Sequence, residues 1–152
     1  MRYSIESKFT FEAGHVLKKA YMSACSENLH GHSYKLFVKV TTEKLNEDGM
    51  VVDFKKLKEA IQPIIDLLDH SFMVAHDDIR IKEVKKSSKK VLILQEEAFE
   101  KFNYNPTAEA IAYYIYNILK IRLPLELGVC DKDYFLEVKL FETEKNCVVI
   151  GG

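Results

Sequence analysis

From Tyr3 to His15 the chain alternates. Tyr3, Ile5, Phe9, Phe11 and Ala13 put apolar groups at odd positions, and the even positions between them are mostly polar. A period of two is that of a strand with one buried face, and His15 ends it on the buried parity. Residues 30–42 repeat the pattern, with Tyr34, Leu36, Val38 and Val40 on one face and Ser33, Lys35, Lys39 and Thr41 on the other; Phe37 breaks it. Extended backward, the apolar face takes in His32 and His30. After a turn signal at 46–50, Phe54, Leu57, Ile61, Ile64, Ile65 and Leu68 recur at helical spacing, with Asp53 placed to cap the start. Pro63 removes a backbone donor and is expected to bend or split this helix. A second helix is expected from Thr107, just after Pro106, turning Ile111, Ala112, Ile115, Ile118 and Leu119 inward. Residues 134–143 form a third strand, with Leu136, Val138 and Leu140 on one face and Glu142 next in line, and 146–150 a short fourth. Residues 71–105 carry the weakest pattern. There Val91–Leu94 reads as a small strand or packed extension, and the lysine-rich run 85–90 as a solvated loop.

The resulting order is ββααββ, an α+β domain with an antiparallel four-stranded sheet and two helices on one face. The 152 residues suffice for one domain with a real core, and no repeat or linker divides them. A hydrophobic share of 47% with 30% charged residues is the balance of a globular protein. A net charge of −1 gives no overall field toward nucleic acid or membrane. No apolar run approaches the roughly 18 residues of a membrane span, and the N-terminus is too polar for a signal peptide. Three cysteines, at 25, 130 and 147, form neither an even framework nor a C-x-x-C pair, so a reducing, cytoplasmic setting is expected. Cys130 and Cys147 read as structural.

The chemistry concentrates in "CSENLHGH", residues 25–32. Side chains two apart on a strand point the same way, so His30 and His32 can present their imidazoles to one point. If the first two strands pair antiparallel, His15 joins them. Three neutral imidazoles around one centre suit Zn²⁺ with a fourth position left open; a polar turn is the competing reading of H-G-H. Cys25 lies in the connection, where a nearby cation would favour its thiolate, while Glu27 by default is a solvated carboxylate. Asp69-His70 reads either as a base–orienter pair or as a charge pair at a helix terminus. Glu142 falls on an apolar parity, where a carboxylate is costly unless it binds something, such as a guanidine-like edge.

Taken together, "FEAGH" (11–15), "LHGHSYKLFVKV" (29–40), "DGMVVDFKKLK" (48–58), "LDH" (68–70), "PTAEAIAYYI" (106–115) and "FET" (141–143) resemble the 6-pyruvoyl-tetrahydropterin and 6-carboxytetrahydropterin synthase family. They occur in family order across most of the chain, and the stretch of about 73–104 carries no motif and looks like an insertion. The resemblance implies the tunnelling fold, a homo-oligomer (commonly a hexamer) and active sites shared between subunits. It implies zinc on His15, His30 and His32, with Cys25 as the proton-abstracting base assisted by Asp69 and His70. It also implies that Glu142 anchors the pterin of 7,8-dihydroneopterin triphosphate, with Thr107 nearby. One branch yields 6-carboxytetrahydropterin with loss of triphosphate and acetaldehyde, for 7-deazapurine tRNA bases; an animal branch stops at 6-pyruvoyl-tetrahydropterin. A third uses glutamate in place of the cysteine and gives 6-hydroxymethyl-7,8-dihydropterin. Here a four-residue gap separates Cys25 from His30, and Glu27 creates E-x-x-H-G-H, so both bases are on offer. The carboxy product is the preferred expectation. A pterin- or metal-binding relative without turnover and an unrelated zinc hydrolase are the rival readings.

Overall fold

The computed structural model describes residues 1–18, 24–128 and 133–151. Strands β1 (Tyr3–His15) and β2 (His30–Thr42) pair antiparallel along their whole length, from Tyr3 opposite Thr42 to His15 opposite His30. The alternation therefore lands as expected. Phe11, Ala13, Tyr34, Leu36, Val38 and Val40 are buried on one face, and the intervening side chains lie on the other. On the buried face sit α2 (Phe54–Leu68) and α4 (Ala108–Leu127), which pack on the sheet and on each other. Both start as expected: the side chain of Asp53 accepts from Lys55 N–H at 2.7 Å, and that of Thr107 from Ala110 N–H at 3.2 Å. A short α1 (Ala24–Glu27) precedes β2.

Among the described residues the sheet has six mixed strands rather than four antiparallel ones, in the order β4 (Val91–Leu94), β3 (Ser71–Ala75), β1, β2, β5 (Phe135–Phe141), β6 (Cys147–Gly151). The additions come from the stretch without a clear pattern. β3 (Ser71–Ala75) runs parallel to β1, and β4 (Val91–Leu94) runs parallel to β3. Their sequences, SFMVA and VLIL, are continuous apolar runs because parallel strands of this kind are covered on both faces. Met73 enters the main core under α2 and α4. Its neighbour Val74 packs with Val84 of α3 (Ile81–Ser87) in a second cluster. The lysine-rich run is thus not simply a loop. Lys85 and Lys86 form the exposed last turn of α3, where positive charge suits the helix C-terminus. A 3₁₀ turn follows β4 at Glu97–Phe102.

Pro63 does not split α2, which runs through it. Pro63 and Glu59, whose carbonyl loses its partner, both lie on the exposed side, so water can satisfy that carbonyl. The third expected strand ends early: β5 spans Phe135–Phe141, leaving Glu142 in the bend beyond it, and β6 spans Cys147–Gly151. Cys147 is exposed rather than packed, and Cys130 falls outside the described residues. No helix among the described residues is long and apolar enough to cross a membrane.

Gly14 marks where three strands meet. It is paired with Gly31 on β2 and Phe72 on β3, and a Cβ added there would lie 2.6 Å from the Phe72 ring. Gly14→Ala should therefore lower stability by about 1–3 kcal/mol through overpacking, as measured by urea unfolding. An unchanged midpoint would mean that Phe72 yields freely.

Candidate metal centre

The β1–β2 register puts His15 directly opposite His30, and His32 opposite Ala13, whose small side chain leaves room for the imidazole. Nε2 of His15 lies 2.9 Å from Nε2 of His30 and 3.1 Å from Nε2 of His32. The rings meet edge to face, and the three ligand atoms lie within 4.8 Å of one another.

Backbone carbonyls fix two of the three rings. His15 donates from Nδ1 to the carbonyl of Pro106 (2.7 Å), and His30 from Nδ1 to that of Asn28 (2.8 Å). A carbonyl can only accept, so both rings carry their proton on Nδ1 and turn a bare Nε2 toward the other. Two bare nitrogens at 2.9 Å repel unless something positive lies between them. A proton is disfavoured, because burial, with the neighbouring His30 and His32, lowers the pKa of His15 from its ordinary 6.5 to about 4 despite the Pro106 bond. For His32, too, burial is the main cause of a lowered pKa, with Glu142 opposing it and His30 reinforcing it. Three imidazole nitrogens this close, with the rings of His15 and His30 oriented by carbonyls behind them, form a donor set that could hold a metal ion.

The other expected residues are distributed unevenly around this cluster. Glu142, in the bend after β5, places Oε1 3.2 Å from Nε2 of His32, on the rim of the cluster. Cys25 is half-buried in the α1 turn, whereas Glu27 in the same turn is exposed. Thr107 caps α4 through its oxygen, which leaves its hydroxyl proton free to donate, and it immediately follows the carbonyl that orients His15. His70 lines a cleft together with His32, and its neighbour Asp69 serves the backbone. Asp69 is the C-cap of α2; its carboxylate accepts from Glu12 N–H (2.8 Å) and pairs with Nδ1 of His70 (2.8 Å). The backbone bond from Glu12, then His70 and Lys90, hold that carboxyl below the usual range. His70, at φ 58°, continues the β1–β3 ladder by donating its N–H to Glu12. Among the described residues, neither is hydrogen-bonded to Cys25.

Tyr34 was legible only as a core residue. It stacks on Phe11 at 4.8 Å and meets the His32 ring edge to face, yet its buried hydroxyl has no hydrogen-bond partner among the described residues. Burial is the main cause that pushes its pKa up, with Glu142 and Cys25 adding to it. The signal was present in the sequence: a tyrosine two residues beyond a metal-facing histidine brings a polar tip that phenylalanine would not.

A mixed α+β sheet carrying three convergent imidazoles at one end defines an α+β domain with a candidate metal centre, and the relatives narrow it further. A family model described as 6-pyruvoyl tetrahydropterin synthase matches residues 4–152. The chain is 35% identical over 157 residues to a 6-carboxy-5,6,7,8-tetrahydropterin synthase of Aquifex aeolicus, with 94% of each chain covered. It is 32% identical over 147 residues to the Rickettsia typhi protein of that name, covering 93% of this chain and 94% of the other. In fold it is similar to 6-pyruvoyl tetrahydropterin synthase from Plasmodium falciparum, with a TM-score of 0.74 at 20% identity, covering 99% of this chain and 98% of that one. The Caenorhabditis elegans synthase gives 0.69 at 24% identity, with 100% and 96% covered. The chain belongs to the 6-pyruvoyl tetrahydropterin synthase family, whose members are lyase-type pterin synthases.

The depressed His15 pKa sets a pH dependence for metal-free protein. Between pH about 6.5 and about 4 the unfolded chain binds a proton at His15 that the folded chain refuses. Stability should therefore fall with pH across that window, by about 3 kcal/mol from this residue. Urea midpoints in the presence of chelator, compared with His15→Phe, measure it; equal slopes for both proteins would remove His15 as the cause.

Proposed function

We propose that this protein is a zinc-dependent synthase that converts 7,8-dihydroneopterin triphosphate and one water to 6-carboxy-5,6,7,8-tetrahydropterin, releasing triphosphate and acetaldehyde. The observation that carries the reading is the meeting of three imidazole Nε2 atoms, those of His15 and His30 bare, at one point in a chain of this family. A zinc ion bound there would act as a Lewis acid on the hydroxyls of the substrate side chain, acidifying the neighbouring C–H and O–H groups.

The chain's own groups divide the remaining work. His15, His30 and His32 would hold the metal, with the Pro106 and Asn28 carbonyls keeping two of the rings turned toward it. Cys25, half-buried where Glu27 is exposed, is the group better placed to take a proton from the substrate side chain. The triphosphate then departs by elimination. Glu142 would accept the N–H edge of the pterin once His32 engages the metal, with Thr107 nearby. Among the described residues Asp69 and His70 make no hydrogen bond to Cys25, and in this reading they assist it across the shared sites of a homo-oligomer. Cys25 and Cys147 are both unpaired, as suits a reducing cytoplasm.

A second reading gives the proton transfer to Glu27 and the product 6-hydroxymethyl-7,8-dihydropterin. It is favoured by E-x-x-H-G-H and by Plasmodium vivax synthase structures in which a catalytic glutamate is replaced by alanine or cysteine. The carboxy reading is preferred on the exposure of Glu27 and on the names of the relatives that are over 30% identical.

Mass spectrometry of the products from zinc-loaded protein and 7,8-dihydroneopterin triphosphate tests this. The expected result is carboxytetrahydropterin plus acetaldehyde, lost on chelation and reduced by about 10²–10⁴-fold in Cys25→Ala, the usual contribution of a positioned base. Glu27→Ala should leave it intact. A hydroxymethyl product that depends on Glu27 would transfer the chemistry to the carboxylate.

A further inference from the structure

One guanidinium ties the turn that carries Cys25 to the segment between β3 and α3. Nη2 of Arg80 donates to the carbonyl of Leu17 (2.8 Å), and Nη1 to that of Ser26 (2.6 Å). These two carbonyls flank the described ends of the β1–β2 connection, and Leu17 N–H closes the same neck by donating to the carbonyl of Cys25 (3.0 Å). The guanidinium is itself oriented. Its Nε and Nη2 each lie 2.9 Å from an oxygen of Asp78, which also accepts the backbone N–H of Arg80. The Asp78 side chain is 1% exposed and that of Arg80 25%. Burial alone would raise the pKa of Asp78, but the hydrogen bonds from Arg80 and its charge hold it below the usual range, so the pair stays ionised.

We propose that Arg80, locked by Asp78, is a positioning residue that sets where the Cys25 turn stands relative to the histidine cluster. This rests on the reading of Cys25 as the base. Three features favour it over a plain stabilising pair. The bonds run to a backbone carbonyl inside the turn, that of Ser26, and to one beyond the end of β1, that of Leu17, so they fix the turn's place rather than one side chain. They use the planar fork of arginine, which presents several N–H groups in fixed directions and which lysine lacks. Arg80 also lies between β3 and α3, in the stretch that bears no family motif, so a residue distant in sequence holds the turn from outside the site. Misplacement of a reacting group by about 1 Å can cost roughly 10²-fold in rate.

Arg80→Ala would strand the buried Asp78 charge and endanger folding, so the informative variant is Arg80→Lys, which keeps a cation against Asp78 but cannot reach both carbonyls. Two quantities are read on soluble, zinc-loaded protein: kcat and KM for pterin turnover, and the rate of iodoacetamide labelling at Cys25 against Cys147 by peptide mass spectrometry. The expected result is a kcat lowered roughly 10²-fold with KM and zinc content held, together with a several-fold rise in the Cys25-to-Cys147 labelling ratio. Wild-type kcat and an unchanged ratio overturn the proposal. So does a loss of kcat that merely follows lost zinc or a lowered Tm while the ratio stays fixed. If the wild-type protein turns over no pterin, the proposed function fails, and the labelling ratio alone decides whether Arg80 fixes the turn.

Discussion

Everything at the candidate centre depends on the register of β1 against β2. With His15 opposite His30 and Ala13 opposite His32, three imidazoles from two strands reach one point. Because side chains alternate with a period of two, a slip of one residue would send one strand's histidines to the other face. The register is held by the same alternation that builds the core. Phe11 opposes Tyr34, and both are buried beside Leu36, Val38 and Val40. Core formation and site formation are therefore one event.

Crowding three imidazole nitrogens together is unfavourable unless the rings are held. The holding comes from groups with no chemistry of their own. Pro106 and Asn28 contribute only carbonyls, yet these decide which nitrogen of His15 and His30 is bare. The segment before Pro106 is itself constrained: Asn103 and Tyr104 both adopt left-handed backbone, at φ 52° and 58°, and Asn105 accepts the N–H of Lys18 at 2.7 Å. A tyrosine in that region costs of order 1–3 kcal/mol and persists only where its surroundings over-determine it. The strain sits one turn away from the carbonyl that orients His15.

Several motif residues do structural work in the single chain. Thr107 caps α4, Asp69 ends α2, and Gly14 clears space for the Phe72 ring at the junction of three strands. None of this conflicts with a role toward substrate, because a cap uses one lone pair and leaves other donors and acceptors in place. It does mean that loss of activity on substitution at these positions has to be separated from loss of fold.

The long strands, the two principal helices with their caps and the convergence of the histidines were legible because each follows from local periodicity or a local cap: Tyr3–His15 and His30–Thr42 by alternation, Phe54–Leu68 and Ala108–Leu127 by helical spacing. β3 and α3 were not, and β4 was legible only as the apolar run Val91–Leu94, a small strand or packed extension with no place in the sheet. Parallel strands covered on both faces show no alternation, and α3 buries only Val84, so neither leaves a periodic trace. The roles of Pro106, Asn28 and Arg80 were equally hidden, since a backbone carbonyl is the same in every residue and the arginine acts 54 positions from the serine it grips. The sequence by itself determined which residues could bind a metal and on which strand face they stand. Only the tertiary structure decided which nitrogen each of the two orienting carbonyls leaves bare and what holds the Cys25 turn, because those depend on hydrogen bonds between segments that no local pattern links.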